Sequence, residues 1–122
     1  MSNRNTEESS GVDAKDDFFS RPYLIKLFRT ASPLDNGVVT TLRPTLAWEK
    51  GPPEAARYSV LILGMYRSLV EEAKDIPNPQ YTVSKDLNNG EFYYWKVNAY
   101  DGQGKPIGVT EQSVFSVHLS SK

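Results

Sequence analysis

The stretch Leu87-Asn88-Asn89-Gly90-Glu91-Phe92-Tyr93-Tyr94-Trp95-Lys96-Val97-Asn98-Ala99-Tyr100 decides the fold. A turn-forming Asn-Asn-Gly opens it. Large apolar residues then alternate with mostly polar ones. Tyr93, Trp95, Val97 and Ala99 share one face, and Tyr94, Lys96, Asn98 and Tyr100 share the other. A period of two is that of a strand with one face buried in a layered β structure.

Working outward, the rest of the chain carries the same signature in shorter pieces. Tyr23–Thr30 reads as a first strand, and Val38–Leu42 as a short β-branched run after the turn cluster Pro33, Asp35, Asn36 and Gly37. Thr45–Glu49 places Leu46 and Trp48 in phase, and Gly51, Pro52 and Pro53 end it. Tyr58–Leu63 is apolar at nearly every place. Between Met65 and Ala73, Tyr66, Leu69, Val70 and Ala73 fit helical spacing, but the segment is short and uncapped, and its neighbours favour an edge strand through Ser68–Glu71. Tyr81–Val83 is a short strand. Asp101–Pro106 forms a hairpin loop, and Val109–Leu119 is the closing strand. About seven short strands with turns between them indicate a two-sheet sandwich.

Composition fits this class. The 122 residues suffice for one domain. Lys and Arg number 14 against 15 Asp and Glu, so no basic face for nucleic acid is implied. With no cysteine, disulfides and thiolate-bound metal are excluded. No apolar run nears the roughly 18 residues of a membrane span, and no basic start with an apolar run marks a signal peptide. Residues 1–20 are polar and hold Glu7, Glu8, Asp13, Asp16 and Asp17 against Arg4 and Lys15. Such a stretch buries too little apolar surface to offset its ordering entropy. It is expected to be a disordered tail, with the folded domain over 21–122.

The order Pro44-x-x-x-Trp48, Tyr58-x-Val60-x-Ile62 and Leu87-x-x-Gly90-x-x-Tyr93-x-Trp95-x-Val97 resembles fibronectin type III-like domains of the bacterial kind. The resemblance runs from about Tyr23 to Leu119. It implies an all-β, seven-strand, two-sheet immunoglobulin-like sandwich. Trp48 would be its core tryptophan, with Tyr58 packed beside it. Leu87 and Tyr93 would form a tyrosine corner, and Trp95 would fill the slot that immunoglobulin domains give to a cysteine. Asn89 departs from the proline frequent in the family, and the Arg-Gly-Asp triplet of some animal members is absent. The resemblance further implies a periplasmic, cell-surface or secreted setting, and the polar stretch after Met1 would fit the linker of a mature lipoprotein.

Catalytic chemistry finds little support. His118 is the one histidine and falls out of phase with Phe115, Val117 and Leu119, so it is expected to face solvent. No nucleophile–base set can be assembled around it. Asp101 with Gln103 could lend oxygens to calcium, but calcium wants six to eight ligands and no acidic cluster accompanies them. No catalytic residue, metal ligand or cofactor is therefore expected. The outward positions carry more. Leu61, Leu63, Tyr94, Lys96, Tyr100 and Val114 are expected on the outer face of one sheet, as an interface. Met65–Ala73, or the tail around Phe18 and Phe19, could instead cover that face. The leading expectation is a non-enzymatic protein-interaction or spacer module, its partner a protein or an adjoining domain. The alternatives are glycan binding through Tyr94 and Tyr100, a small hydrolase or metal-dependent enzyme, which lacks the residue constellation it would need, and weak homo-oligomerisation through the sheet.

Overall fold

In the computed structural model, residues 25–119 are described. The tail expected over 1–20, its boundary with the domain, and Tyr23 and Leu24 of the first expected strand lie outside them. Ten strands and no helix make up the described residues. They are β1 (Lys26–Phe28), β2 (Thr30–Ser32), β3 (Gly37–Val39), β4 (Thr45–Trp48) and β5 (Arg57–Leu63). Then follow β6 (Leu69–Ile76), β7 (Gln80–Thr82), β8 (Phe92–Tyr100), β9 (Pro106–Thr110) and β10 (Ser113–Val117).

The strand that the alternation identified, β8, is the centre of the larger sheet. It pairs antiparallel with β5 along one edge, Val60 opposite Val97, and with β9 and β10 in turn along the other. β6 flanks β5. On the opposite side β1 runs parallel to β9, and β3 parallel to β10. The smaller sheet has the order β2–β4–β7.

The expected single first strand is thus broken. At Arg29 the chain leaves the larger sheet, where β1 lies, and β2 joins the smaller one. The expected Val38–Leu42 strand is confined to Gly37–Val39. The closing strand is interrupted at Glu111 and Gln112, between β9 and β10. β1–β3 therefore occupy one position of a seven-strand plan and β9–β10 another. Gly108 permits the close approach at the first of these edges, because a Cβ there would stand 3.1 Å from the Phe28 ring and 3.0 Å from Pro52.

The core lies between the sheets. Leu46 and Trp48 of β4 face Tyr58, Val60 and Ile62 of β5 and Tyr93, Trp95 and Val97 of β8, all buried. Trp48 meets Trp95 at 6.4 Å between ring centroids and Tyr58 edge-on at 5.5 Å. The Tyr58 hydroxyl donates to the Lys50 carbonyl, and burial raises its pKa. Tyr93 stacks on Phe115. Its hydroxyl oxygen accepts the Asn88 N–H at 2.8 Å, with Leu87 buried alongside, so the tyrosine corner forms as the resemblance implied. At Asn89 the side-chain oxygen accepts the Leu119 N–H at 2.8 Å and ties the segment after β10 to the corner.

Trp95 is 1% exposed and touches both layers. Truncating such an aromatic costs about 3–5 kcal/mol, a large part of the roughly 5–15 kcal/mol of a domain. Trp95→Ala is expected to lose most of the unfolding free energy in a urea titration. A midpoint close to that of the parent chain would contradict its place as the inter-sheet contact.

Candidate interaction face

Because Trp95 and Val97 point inward, Tyr94, Lys96, Asn98 and Tyr100 point out. The register then sets their neighbours across the sheet. Leu69, Leu63, Tyr94 and Val114 form one row across β6, β5, β8 and β10. Glu72, Leu61 and Lys96 form the next. In the row beyond Tyr94, Phe92 pairs with Ser116 and Ser116 with Val38. The solvent face of an antiparallel sheet is ordinarily polar. Here it carries adjoining apolar rows, with Leu69 and Val38 each 61% exposed.

Five of the six residues expected at this face are thereby neighbours: Leu61, Leu63, Tyr94, Lys96 and Val114. Tyr100 is set apart. It lies six residues along β8 from Tyr94, about 20 Å at strand rise, opposite Arg57. Its hydroxyl is held to that of Ser59 at 3.2 Å. Tyr94 and Tyr100 therefore do not make one platform. The sequence reading missed Leu69, Phe92 and Val38. The alternation itself put Phe92 on the Tyr94 face, whereas Val38 reaches it through a parallel pairing that no local pattern announces.

The segment Met65–Ala73 resolves as a hairpin. Its turn runs from Gly64 to Ser68, closed by the Gly64 N–H on the Ser68 carbonyl at 2.8 Å and the Arg67 N–H on the Gly64 carbonyl at 2.8 Å. Arg67 has a φ of 68°. Its guanidinium lies 4.1 Å from the Tyr94 ring centroid and donates to Gln112 Oε1 at 3.4 Å. One ring face of Tyr94 is thus shielded by a cation–π contact, worth about 0.5–1 kcal/mol at an exposed site. Leu69 stays exposed, while Leu61 and Leu63 are half-buried. Phe18 and Phe19 lie outside the described residues.

At the β6 edge an acid is buried. Glu71 pairs with the inward Ile62 and is 8% exposed. Its carboxylate accepts from the Tyr81 hydroxyl and from the Ser84 N–H at 3.1 Å, which joins β6 of one sheet to β7 and its following turn in the other. Burial pushes its pKa up, but the hydrogen bonds from Tyr81 and Ser84, with the positive charge of Lys85, together bring it below the usual value. Burial also raises the Tyr81 phenol, and its bond to the Glu71 carboxylate raises it further.

Elsewhere chemistry is sparse. His118 is exposed just past β10. Asp101 Oδ1 accepts the N–H groups of Gln103 and Lys105, each at 2.9 Å, which lowers its pKa and commits it to the hairpin loop. Among the described residues no three His, Asp or Glu side chains are placed to hold a metal ion, and no helix is long and apolar enough to cross a membrane.

No family model matches the chain, and no curated protein matches it. Solved structures do. The chain is similar to an Fn3-like protein from Clostridium thermocellum, with a TM-score of 0.52, 19% identity, and coverage of 72% of this chain and 92% of that one. It is similar to CopC from Methylosinus trichosporium OB3b, with a TM-score of 0.52 and 22% identity over 78% of this chain and 97% of that one. A structure described as a myokine matches with a TM-score of 0.57 and 14% identity, covering 76% of this chain and 99% of that one. The fold is accordingly an all-β, immunoglobulin-like sandwich of the fibronectin type III-like kind, and at these identities the likeness is one of fold alone.

The Glu71 contact makes a pH prediction. A carboxylate with a lowered folded-state pKa adds stability above its unfolded pKa of about 4.3. That contribution is lost as the pH falls through the folded value. Glu71→Gln is expected to be less stable than the parent at neutral pH, with the gap in urea midpoint closing on acidification. Two curves that stay parallel into acid would remove the carboxylate from the seam.

Proposed function

We propose that the protein is a non-catalytic interaction module of a bacterial surface, periplasmic or secreted assembly. The observation that carries this reading is the outer face of the larger sheet, where Leu69, Leu63, Tyr94 and Val114 form one apolar row across four strands and Leu61 adjoins it between Glu72 and Lys96. Charged Lys96, Glu72 and Arg67 border these residues, a polar rim around an apolar centre. The extracytoplasmic, bacterial part of the reading rests on fold analogy to the proteins above, a weaker support than the face itself.

The face and the smaller sheet offer an internal comparison. A photoreactive residue at Leu61 samples the apolar rows, and one at Thr45 samples the outer side of the smaller sheet, where Thr45 and Thr82 share a hydroxyl hydrogen bond. In cells carrying the protein at its native level, cross-linked protein adducts are expected from position 61 and not from 45. Adducts from neither position, or equally from both, would overturn the reading.

A further inference from the structure

We infer that the partner of this face is a second copy of the same chain, docked with β5 lying along a two-fold axis. The inference rests on the interaction reading above and names its partner. In one register row Leu61 has Glu72 on its left in β6 and Lys96 on its right in β8. A two-fold axis running along β5 exchanges β6 and β8 between copies. It therefore sets Glu72 of one copy against Lys96 of the other, twice, while Leu61 meets Leu61. In the next row Leu63 has Leu69 and Tyr94 as its flanks. The same operation sets Leu63 on Leu63 and brings exposed Leu69 against the Arg67 guanidinium that covers the Tyr94 ring. The two leucine contacts on the axis are apolar on apolar, and the two Glu72–Lys96 contacts are acid on base.

An isologous contact has to be self-complementary in this way. Packed sheets cross at about −30°, so residues one strand from the axis shift little, and the long Lys96 and Glu72 side chains absorb the shift. Within one copy these two charges do not neutralise each other, since β5 stands between them; the ion pair among the described residues is Arg43–Asp86, at 2.8 Å and exposed. The footprint is three strands wide, and the dimer proposed is weak and concentration-dependent.

Sedimentation velocity of the full chain over a concentration series at low salt tests the proposal. A reversible dimer is expected. K96E and E72K each place like charges face to face twice per dimer, and each is expected to weaken association by about tenfold or more. An equimolar mixture of K96E with E72K is expected to associate again, because every pair between unlike copies is once more acid on base. Leu61→Asp is expected to leave a monomer, with its urea midpoint confirming that it is folded; the exposed E72K site gives an independent readout if it is not. A monomer at every concentration, a dimer indifferent to K96E and E72K, or a mixture no stronger than either variant alone overturns the proposal. A monomeric chain that still yields adducts to another protein at position 61 overturns the dimer alone, whereas no adduct at position 61 of any kind overturns the interaction reading with it.

Discussion

The contact between Trp48 and Trp95 couples the two sheets of this sandwich. It is made across the gap between the sheets, at 6.4 Å, with Tyr58 closing one side. Neither indole Nε1 has a hydrogen-bond partner. An orphaned buried donor costs about 1–3 kcal/mol. The large apolar area of two indoles more than offsets that cost. Once Trp95 is committed inward, the pleat leaves no choice about its neighbours: Tyr94 and Lys96 must face water. The composition of the outer face is thus tied to the core by the geometry of a single strand.

That tie explains why much was legible in the sequence. The alternation over Phe92–Tyr100 is local, and so are the turns at Asn88–Gly90 and Asp101–Lys105; reading them needs no partner strand. The interruptions were not legible. Nothing between Tyr23 and Thr30 signals that the chain changes sheets at Arg29, because β1 and β2 have the same β character and differ only in which distant strand accepts their hydrogen bonds. The break at Glu111 and Gln112 is likewise invisible, since Val109 through Val117 keeps a serviceable strand composition on both sides of it. Separating Tyr100 from Tyr94 required only counting strand rise, but the tie of its hydroxyl to Ser59 required the pairing of β8 with β5.

The ambiguous segment after Met65 shows a subtler limit. Tyr66, Leu69, Val70 and Ala73 have helical spacing, yet β6 is a strand whose pairing with β5 shifts register between Ile62 and Leu63. The shift places an extra residue, Val70, in β6, so strict alternation fails along this edge. The same edge buries Glu71 on the inner side. No reading of β6 by itself would put a carboxylate there. It is stable only because Tyr81 of the facing sheet and Ser84 of the turn after it supply donors to it. A buried charge of this kind is a statement about two elements at once, and sequence patterns describe one at a time.

The two solvent faces of the sandwich complete the comparison. They belong to one chain and answer to one requirement of solubility, yet they differ. The smaller sheet presents Thr45, Ala47, Gln80 and Thr82, with the Arg43–Asp86 ion pair at its margin. The larger presents leucines, an aromatic row and flanking single charges. Were apolar residues simply tolerated on the outside of this fold, both faces would carry them. The apolar row on the larger sheet, with Glu72 and Lys96 one strand to either side of Leu61, is an arrangement that a solvated surface does not require. It is this pair of opposite charges about one strand that the proposed two-fold contact uses.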